Sequence, residues 1–454
     1  MTRLSVPRDP FSVIGAILAT VAGILFLIVF LLELLGLHTN PYEGIVAFMM
    51  LPGAFILGLA LIPIGLWRER RRRHAGKPAA APWPRIDLND SHQRIVAFWV
   101  ICLTLVNVLI VSLAAYSGVR YMDSVSFCGQ VCHTVMEPEF VAYQDSPHSR
   151  VACVDCHIGE GASWFVRSKL SGTRQVFAVM LHTYSTPIPT PVHNLRPARE
   201  TCEQCHWPEK FHGDKIVEIP DYADDEKNTL TTTTLRVHVG GGSEKLGIAT
   251  GIHWHMNVAN IVEYIATDDA RQVIPWVRVT DPAGNVREYQ AEGVTADQLA
   301  KAERRRMDCI DCHSRPSHKF AATPERAVNE AMAMAEIPPT LPFVKREATA
   351  ALKVAYANPS AALDGIAARL REFYRSQYSA LYMGKRQDVE RAVSGTQAIY
   401  KRNVFPAMGV TFGTHPNNIG HMDFPGCFRC HDENHKTKDG KTIGQACDLC
   451  HDIQ

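Results

Sequence analysis

Apolar residues crowd the first quarter of this 454-residue chain in three long runs. The first, Phe11 to Leu37, carries a single charge, Glu33. It is too long for a signal-peptide core and no small-residue cleavage site follows it. Its length suits an uncleaved transmembrane helix. A short polar link, HTNPYEG, leads to a second span from about Ile45 to Trp67, and a third runs from about Ile95 to Tyr116. Between the second and third lies RERRRRHAGKPAAAPWPR. By the positive-inside rule this Arg-rich loop stays in the cytoplasm, with the amino terminus, and everything after Tyr116 is outside. Glu33 reads as an interfacial carboxylate near the outer end of its helix, or as a proton acceptor, because ionisable groups in membrane spans are often functional.

After Tyr116 the pattern shortens. LTTTTLRVHV (Leu230 to Val239) is β-branched, and IPWVRVTDPAGNVREYQ predicts a hairpin turning at Asp281 to Gly284. Gly240 to Gly242 predicts a flexible turn, since no Gly-Lys-Ser/Thr follows it. Thr323-Pro324-Glu325 is a helix start, with an N-cap and proline at the first position. Leu363, Ile366, Leu370 and Phe373, then Val389, Val393 and Ile399, recur at helical spacing and predict core-facing stripes.

The expected fold class is therefore a mainly α membrane protein. Three transmembrane helices precede an exported domain with little regular structure, a small β-rich insertion and a helical segment. The expected division is 1–94 (two spans and the basic loop), 95–210 (third span and first motifs), 211–308 (β-rich insertion) and 309–454 (helical segment with the last motifs). A net charge of +1 excludes nucleic acid as a partner, because no basic excess exists to hold phosphates.

Cysteine placement changes the picture most. Of thirteen cysteines, Cys102 lies in an apolar run and twelve form six pairs, each followed at once by His. The pairs are Cys128/Cys132, Cys153/Cys156, Cys202/Cys205, Cys309/Cys312, Cys427/Cys430 and Cys447/Cys450, and the histidines are His133, His157, His206, His313, His431 and His451. Cys-x-x-Cys-His is the attachment signature of c-type haem: two thioethers to the porphyrin and an axial imidazole on iron. Disulfides need no following His. Structural zinc wants a second pair about 15–20 residues on, a spacing only the last two pairs have. Six covalently bound haems c are expected, and such haems are attached outside the cytoplasm, in agreement with the charge-derived topology. The intervals between motif starts, 25, 49, 107, 118 and 20 residues, exclude a fixed repeat. The short ones force neighbouring haems together.

Each iron has a second axial position, whose occupant separates electron carriers from catalysts. Eleven other histidines follow the third span. His148, in Ser-Pro-His before the second motif, His318 after the fourth and His421 before the fifth are candidate ligands. Gly-Ile-His-Trp-His supplies His253 and His255, both candidate ligands, which alternate in direction if the segment is extended. His182, His193 and His212 are expected in surface or core roles, while His238, His415 and His435 are unassigned. Met136, three residues after His133, is a candidate thioether ligand to the first haem.

A membrane helix followed by CHTVMEP, SPH, CVDCH and the Lys-containing WFVRSKLSG resembles the NapC/NirT/NrfH family of membrane-anchored multihaem cytochromes over roughly residues 95 to 210. Three spans and a long haem-rich tail are more similar to the inner-membrane cytochromes of metal-reducing bacteria that carry such a module. The resemblance implies menaquinol from the membrane pool as electron donor, a periplasmic cytochrome or reductase as acceptor, and a multi-pass protein of the bacterial inner membrane with its haem domain in the periplasm. It carries Lys169 over to the quinol pocket. The first motif departs from the pattern by having three intervening residues, and Met136 is displaced by one position. No acidic residue lies between Val166 and Ser185, so the proton acceptor comes from elsewhere. Asp123 and Glu137 are the candidates kept beside Lys169, with Glu139 and Glu33 held more loosely. The competing expectation is a terminal reductase of nitrogen or sulfur oxyanions with one open haem; a third is an anchor subunit whose haems mainly form its core. Oligomeric assembly is left open.

Overall fold

A computed structural model describes residues 10–34, 50–74, 87, 89–131, 133–159, 161–192, 195–211, 213–241, 251–256 and 260–454. Cys132, His193, His212, Gly242 and the start of the second span lie outside the described residues, as do the side chains of Glu33 and His133. The described chain forms two compact units, residues 1–132 and 133–454.

The first unit contains α1 (Pro10–Leu34), α2 (Leu51–His74) and α3 (Ser91–Met122). All three are long and apolar enough to cross a membrane. The third is longer than its apolar run at both ends. Asp90 caps it by accepting from the His92 amide, and Asp123 follows its last residue. Small residues set the close approach of α1 and α2. A Cβ on Gly15 would lie 2.6 Å from the Gly58 carbonyl oxygen, and one on Gly58 2.6 Å from the Ala19 nitrogen. Without a hydrophobic force between helices in lipid, such backbone proximity is what supplies dispersion contact. The Ser12 hydroxyl adds a bond to the Ile62 carbonyl at 3.0 Å.

The second unit opens on α4 (His133–Gln144) and α5 (Ala162–Met180). Two antiparallel sheets follow. In the first, β1 (Asp214–Tyr222) and β2 (Leu230–His238) form a hairpin, and the C-terminal β7 (His451–Ile453) adds to β2. The second sheet has the order β5-β4-β3-β6, from β3 (Ile261–Ile265), β4 (Trp276–Thr280), β5 (Val286–Gln290) and β6 (Arg304–Arg306). The β4–β5 turn falls where predicted, with the Asp281 carboxylate accepting from the Ala283 and Asn285 amides. The first sheet pairs the sixth motif to β2, which a reading of local sequence misses because the partners are more than 200 residues apart.

Residues 324–403 pack as a helical layer built from α6 (Pro324–Ala333), α7 (Val344–Leu352), α8 (Pro359–Gln377) and α9 (Arg386–Asn403). Thr323 caps α6 by accepting from the Arg326 amide. Ile366, Leu370, Val389 and Ile399 are buried with Val328, Ile337, Leu341 and Val344. The predicted stripes are thus core, while Leu363 and Phe373 sit at its margin. No Cys-x-x-Cys-His motif lies within this layer. Leu370→Ala is accordingly expected to cost about 2–5 kcal/mol of stability. Its haem absorption spectrum at low temperature should match that of the parent, and a changed spectrum would show that the layer supports a haem directly.

Candidate haem chain and its histidine pairs

Three of the described attachment motifs, the third, fourth and fifth, are each wound into one tight turn. The His206 amide bonds the Cys202 carbonyl at 2.8 Å, His313 bonds Cys309 at 2.8 Å, and His431 bonds Cys427 at 3.0 Å. One such turn brings the two thiols and the imidazole to the same side of the backbone. Carboxylates pin these turns: Asp308 accepts from the Cys309 amide at 2.7 Å, and Asp311 from the Asp308 amide at 2.7 Å.

Consecutive motifs lie beside one another. Burial and then the neighbouring Cys202 raise the Cys156 pKa. The Cys202 and Cys309 thiols are hydrogen-bonded, which lowers the first and raises the second. Burial pushes Cys312 up to about 11, with Cys427 the next cause. Cys450 is raised by burial and then by Cys427. From the second motif to the sixth, order in space follows order in the chain.

In the third motif Cys202 is half-buried beside Cys309 and Cys205 is exposed.

Five motif histidines each face a second histidine. Ring centroids are 6.2 Å apart for His157 and His318, 6.2 Å for His206 and His148, and 6.4 Å for His313 and His253. They are 5.9 Å apart for His431 and His255, and 6.1 Å for His451 and His421. An imidazole bound through nitrogen at about 2.0–2.1 Å has its centroid roughly 3.1 Å from the metal, so two opposed rings stand about 6.3 Å apart. The five separations are those of two imidazoles with one metal between them. The residues present therefore fit the group that the motifs imply.

Hydrogen bonding strengthens the fit. Nδ1 of His148, His253, His255, His318 and His431 points at a backbone carbonyl: Pro316, Val239, Ile252, Glu139 and Gly444 respectively, at 2.8 to 3.3 Å. A carbonyl only accepts, so Nδ1 carries the hydrogen and Nε2 keeps its lone pair, the arrangement typical of a metal-ligating imidazole. Burial lowers the pKa of His157, His255, His313 and His318, which also favours the neutral, ligating form. The remaining described histidines use their rings differently. His435 spends Nε2 on the Ile274 carbonyl at 2.6 Å and Nδ1 on Asp432. His238 bonds Asp214. His415 is buried beside Phe320, and burial takes its pKa to about 4. His182 is exposed near Tyr184.

His253 and His255, both candidate ligands from the sequence, share one short turn. Ile252–Met256 is a 3-10 turn rather than an extended segment, and both rings meet a motif histidine. The role of Glu139 was also not legible. Its carboxylate takes two bonds from Arg315 Nη2, at 2.9 and 2.7 Å, and lies 3.3 Å from His318 Nδ1. Arg315 Nε in turn donates to the His318 carbonyl at 2.5 Å. Glu139 is thus engaged in holding an imidazole. Its nearness to the first motif carries no hint of a partner 176 residues away.

Met136 is half-buried on α4, one turn after His133, and Glu137 is exposed beside it. Asp123 ends α3. The Lys169 ammonium lies over the Phe165 ring at 4.8 Å on α5. That helix has Arg167, Lys169 and Arg174 but no acidic residue, and it exposes Val166, Leu170, Phe177 and Met180.

Residues 90–189 match the model of the NapC/NirT cytochrome c family, N-terminal region. Over 448 residues the chain is 44% identical to the cytochrome c-type protein ImcH of Geobacter sulfurreducens, an alignment covering 98% of this chain and 88% of that protein. This chain is a NapC/NirT-type cytochrome c. As such it is a membrane-anchored electron-transfer protein with covalently bound haem c. No solved structure matches it.

Proposed function

We propose that this NapC/NirT-type cytochrome carries six haems c, oxidises menaquinol at the outer face of the inner membrane, and relays electrons to a periplasmic cytochrome or reductase. The observation that carries the reading is the row of five histidine pairs, ordered along the chain and closed on both sides. Haem supplies reversible one-electron exchange at each site. The protein's own part is to fix spacing and ligation. In four of the five pairs at least one imidazole holds its tautomer through a backbone carbonyl, which fixes how that ring is presented. The motif thiols, brought side by side in sequence order, set a single route from the second site to the sixth.

For the donor end, the family resemblance points to α5. Its exposed apolar residues suit the lipid interface, where a basic amphipathic helix is favoured. Lys169 is assigned to the quinol head group as a charge-assisted donor, with Asp123 or Glu137 taking the released proton. Lys169→Gln is expected to slow reduction by a menaquinol analogue about 10- to 100-fold, the value of a lost charge-assisted hydrogen bond. Reduction by dithionite should be unaffected. Equal slowing with both reductants would remove Lys169 from the quinol site.

The whole reading is tested on purified protein in detergent. Adding the reduced menaquinol analogue should reduce the haem absorption bands. If the bands stay oxidised while dithionite reduces them, quinol oxidation is wrong. The rival, a terminal reductase with an open haem, is disfavoured by the second histidine at five of the six sites. Carbon monoxide binding to the ferrous protein in stoichiometric amount would favour it instead.

A further inference from the structure

Gly251 begins a turn that contributes two of the five pairs. Its φ is +75°, and a Cβ there would lie 2.3 Å from the His238 carbonyl oxygen, so only glycine fits. The Trp254 amide closes the turn on the Gly251 carbonyl at 3.0 Å. His253 is tied to the end of β2, its amide and its Nδ1 both donating to the Val239 carbonyl at 3.2 and 2.9 Å. Arg199 Nη2 bonds the Met256 carbonyl at 2.7 Å. Trp254 packs against the core of the second sheet, with Val262, Tyr264, Ile274 and Val277.

From this anchored turn two rings leave in different directions. His253 meets His313 of the fourth motif with ring planes 9° apart. His255 meets His431 of the fifth motif with planes 86° apart. The same two motifs are joined independently: Arg429, inside the fifth, donates to the Asp311 carbonyl inside the fourth and to the Arg271 carbonyl at 2.8 Å.

We propose that the His253-Trp254-His255 turn is a double clamp, in which His253 is the axial ligand opposite His313 and His255 the axial ligand opposite His431. This rests on the motifs carrying haem, and it adds that one three-residue backbone segment holds two irons at a fixed spacing. The fourth and fifth sites then behave as a rigid, electrostatically coupled pair, reduction of one making reduction of the other harder. Neither ligand can shift without straining the other, because the turn is fixed by Gly251 at one end, Arg199 at the other and Trp254 between.

The ring planes give each site its own mark. Near-perpendicular axial rings leave two iron d orbitals almost degenerate and give a highly anisotropic low-spin ferric EPR signal; near-parallel rings split them and give a rhombic one. The protein is the intact holoprotein in detergent, and a pyridine haemochrome assay first confirms that every variant holds as many haems as the parent. Failure of that count concerns the haem reading itself, not the clamp. His255→Ala is expected to convert one site to high spin with loss of a highly anisotropic signal. His253→Ala should do the same with loss of a rhombic one.

His253→Met and His255→Met distinguish ligation from packing. A methionine of similar reach should restore a low-spin site and bring the near-infrared band of a methionine–iron bond. Either Ala variant staying low-spin at all sites, the two losses appearing in the opposite classes, or absence of the near-infrared band from both Met variants overturns the clamp.

Discussion

Replacing Cys309 and Cys312 together by alanine is expected to split reduction of the holoprotein into two phases. The fourth motif has neighbours on both sides, the third through Cys202–Cys309 and the fifth through Cys312–Cys427. Among the described residues, no thiol of the second or third motif perturbs one of the fifth or sixth. If quinol delivers electrons at the membrane end, the sites before the gap reduce at the parental rate and those beyond it lag far behind. Stopped-flow absorbance with a menaquinol analogue reads the two amplitudes, and dithionite should abolish the difference. A single fast phase for all remaining haems would mean that electrons pass around the fourth site.

Arg315→Ala should be the most destabilising single exchange near the haem chain. Arg315 is 6% exposed and Glu139 15%, and the pair also holds the backbone and imidazole of His318. Removing the guanidinium leaves a carboxylate out of water without its partner, at a cost of about 3–5 kcal/mol. It also frees the His318 ring, so the second site should lose its low-spin signature at a lower temperature than the others. Thermal melts followed in the haem bands check both effects. The double variant Arg315→Met with Glu139→Leu should recover much of the stability, because no buried charge remains, yet keep the altered second site. A single variant as stable as the parent would show that water reaches Glu139.

Much of this molecule was legible in one dimension because the governing interactions are local. A membrane span is a run of apolar residues, a haem attachment turn is five consecutive residues, and Thr323 caps a helix within its own first turn. The stripes at Ile366, Leu370, Val389 and Val393 were readable for the same reason, since helical periodicity sorts them to one face. His148, His318 and His421 could be named as candidates by their nearness to motifs, but nearness misleads about partners. His148 faces the third motif rather than the second that follows it, and His318 faces the second rather than the fourth that precedes it.

What the sequence by itself determined is the inventory: three long apolar runs, six cysteine pairs each followed by histidine, and eleven further histidines after the third run. Tertiary structure decided which histidine meets which, that both rings of the His-Trp-His turn meet a motif histidine, and that Glu139 braces His318. The physical reason is range. Thioether attachment and helix formation need only neighbours along the backbone, whereas a sixth ligand must arrive from the far side of the porphyrin. Such a ligand belongs to whatever segment the sheets and the helical layer carry there.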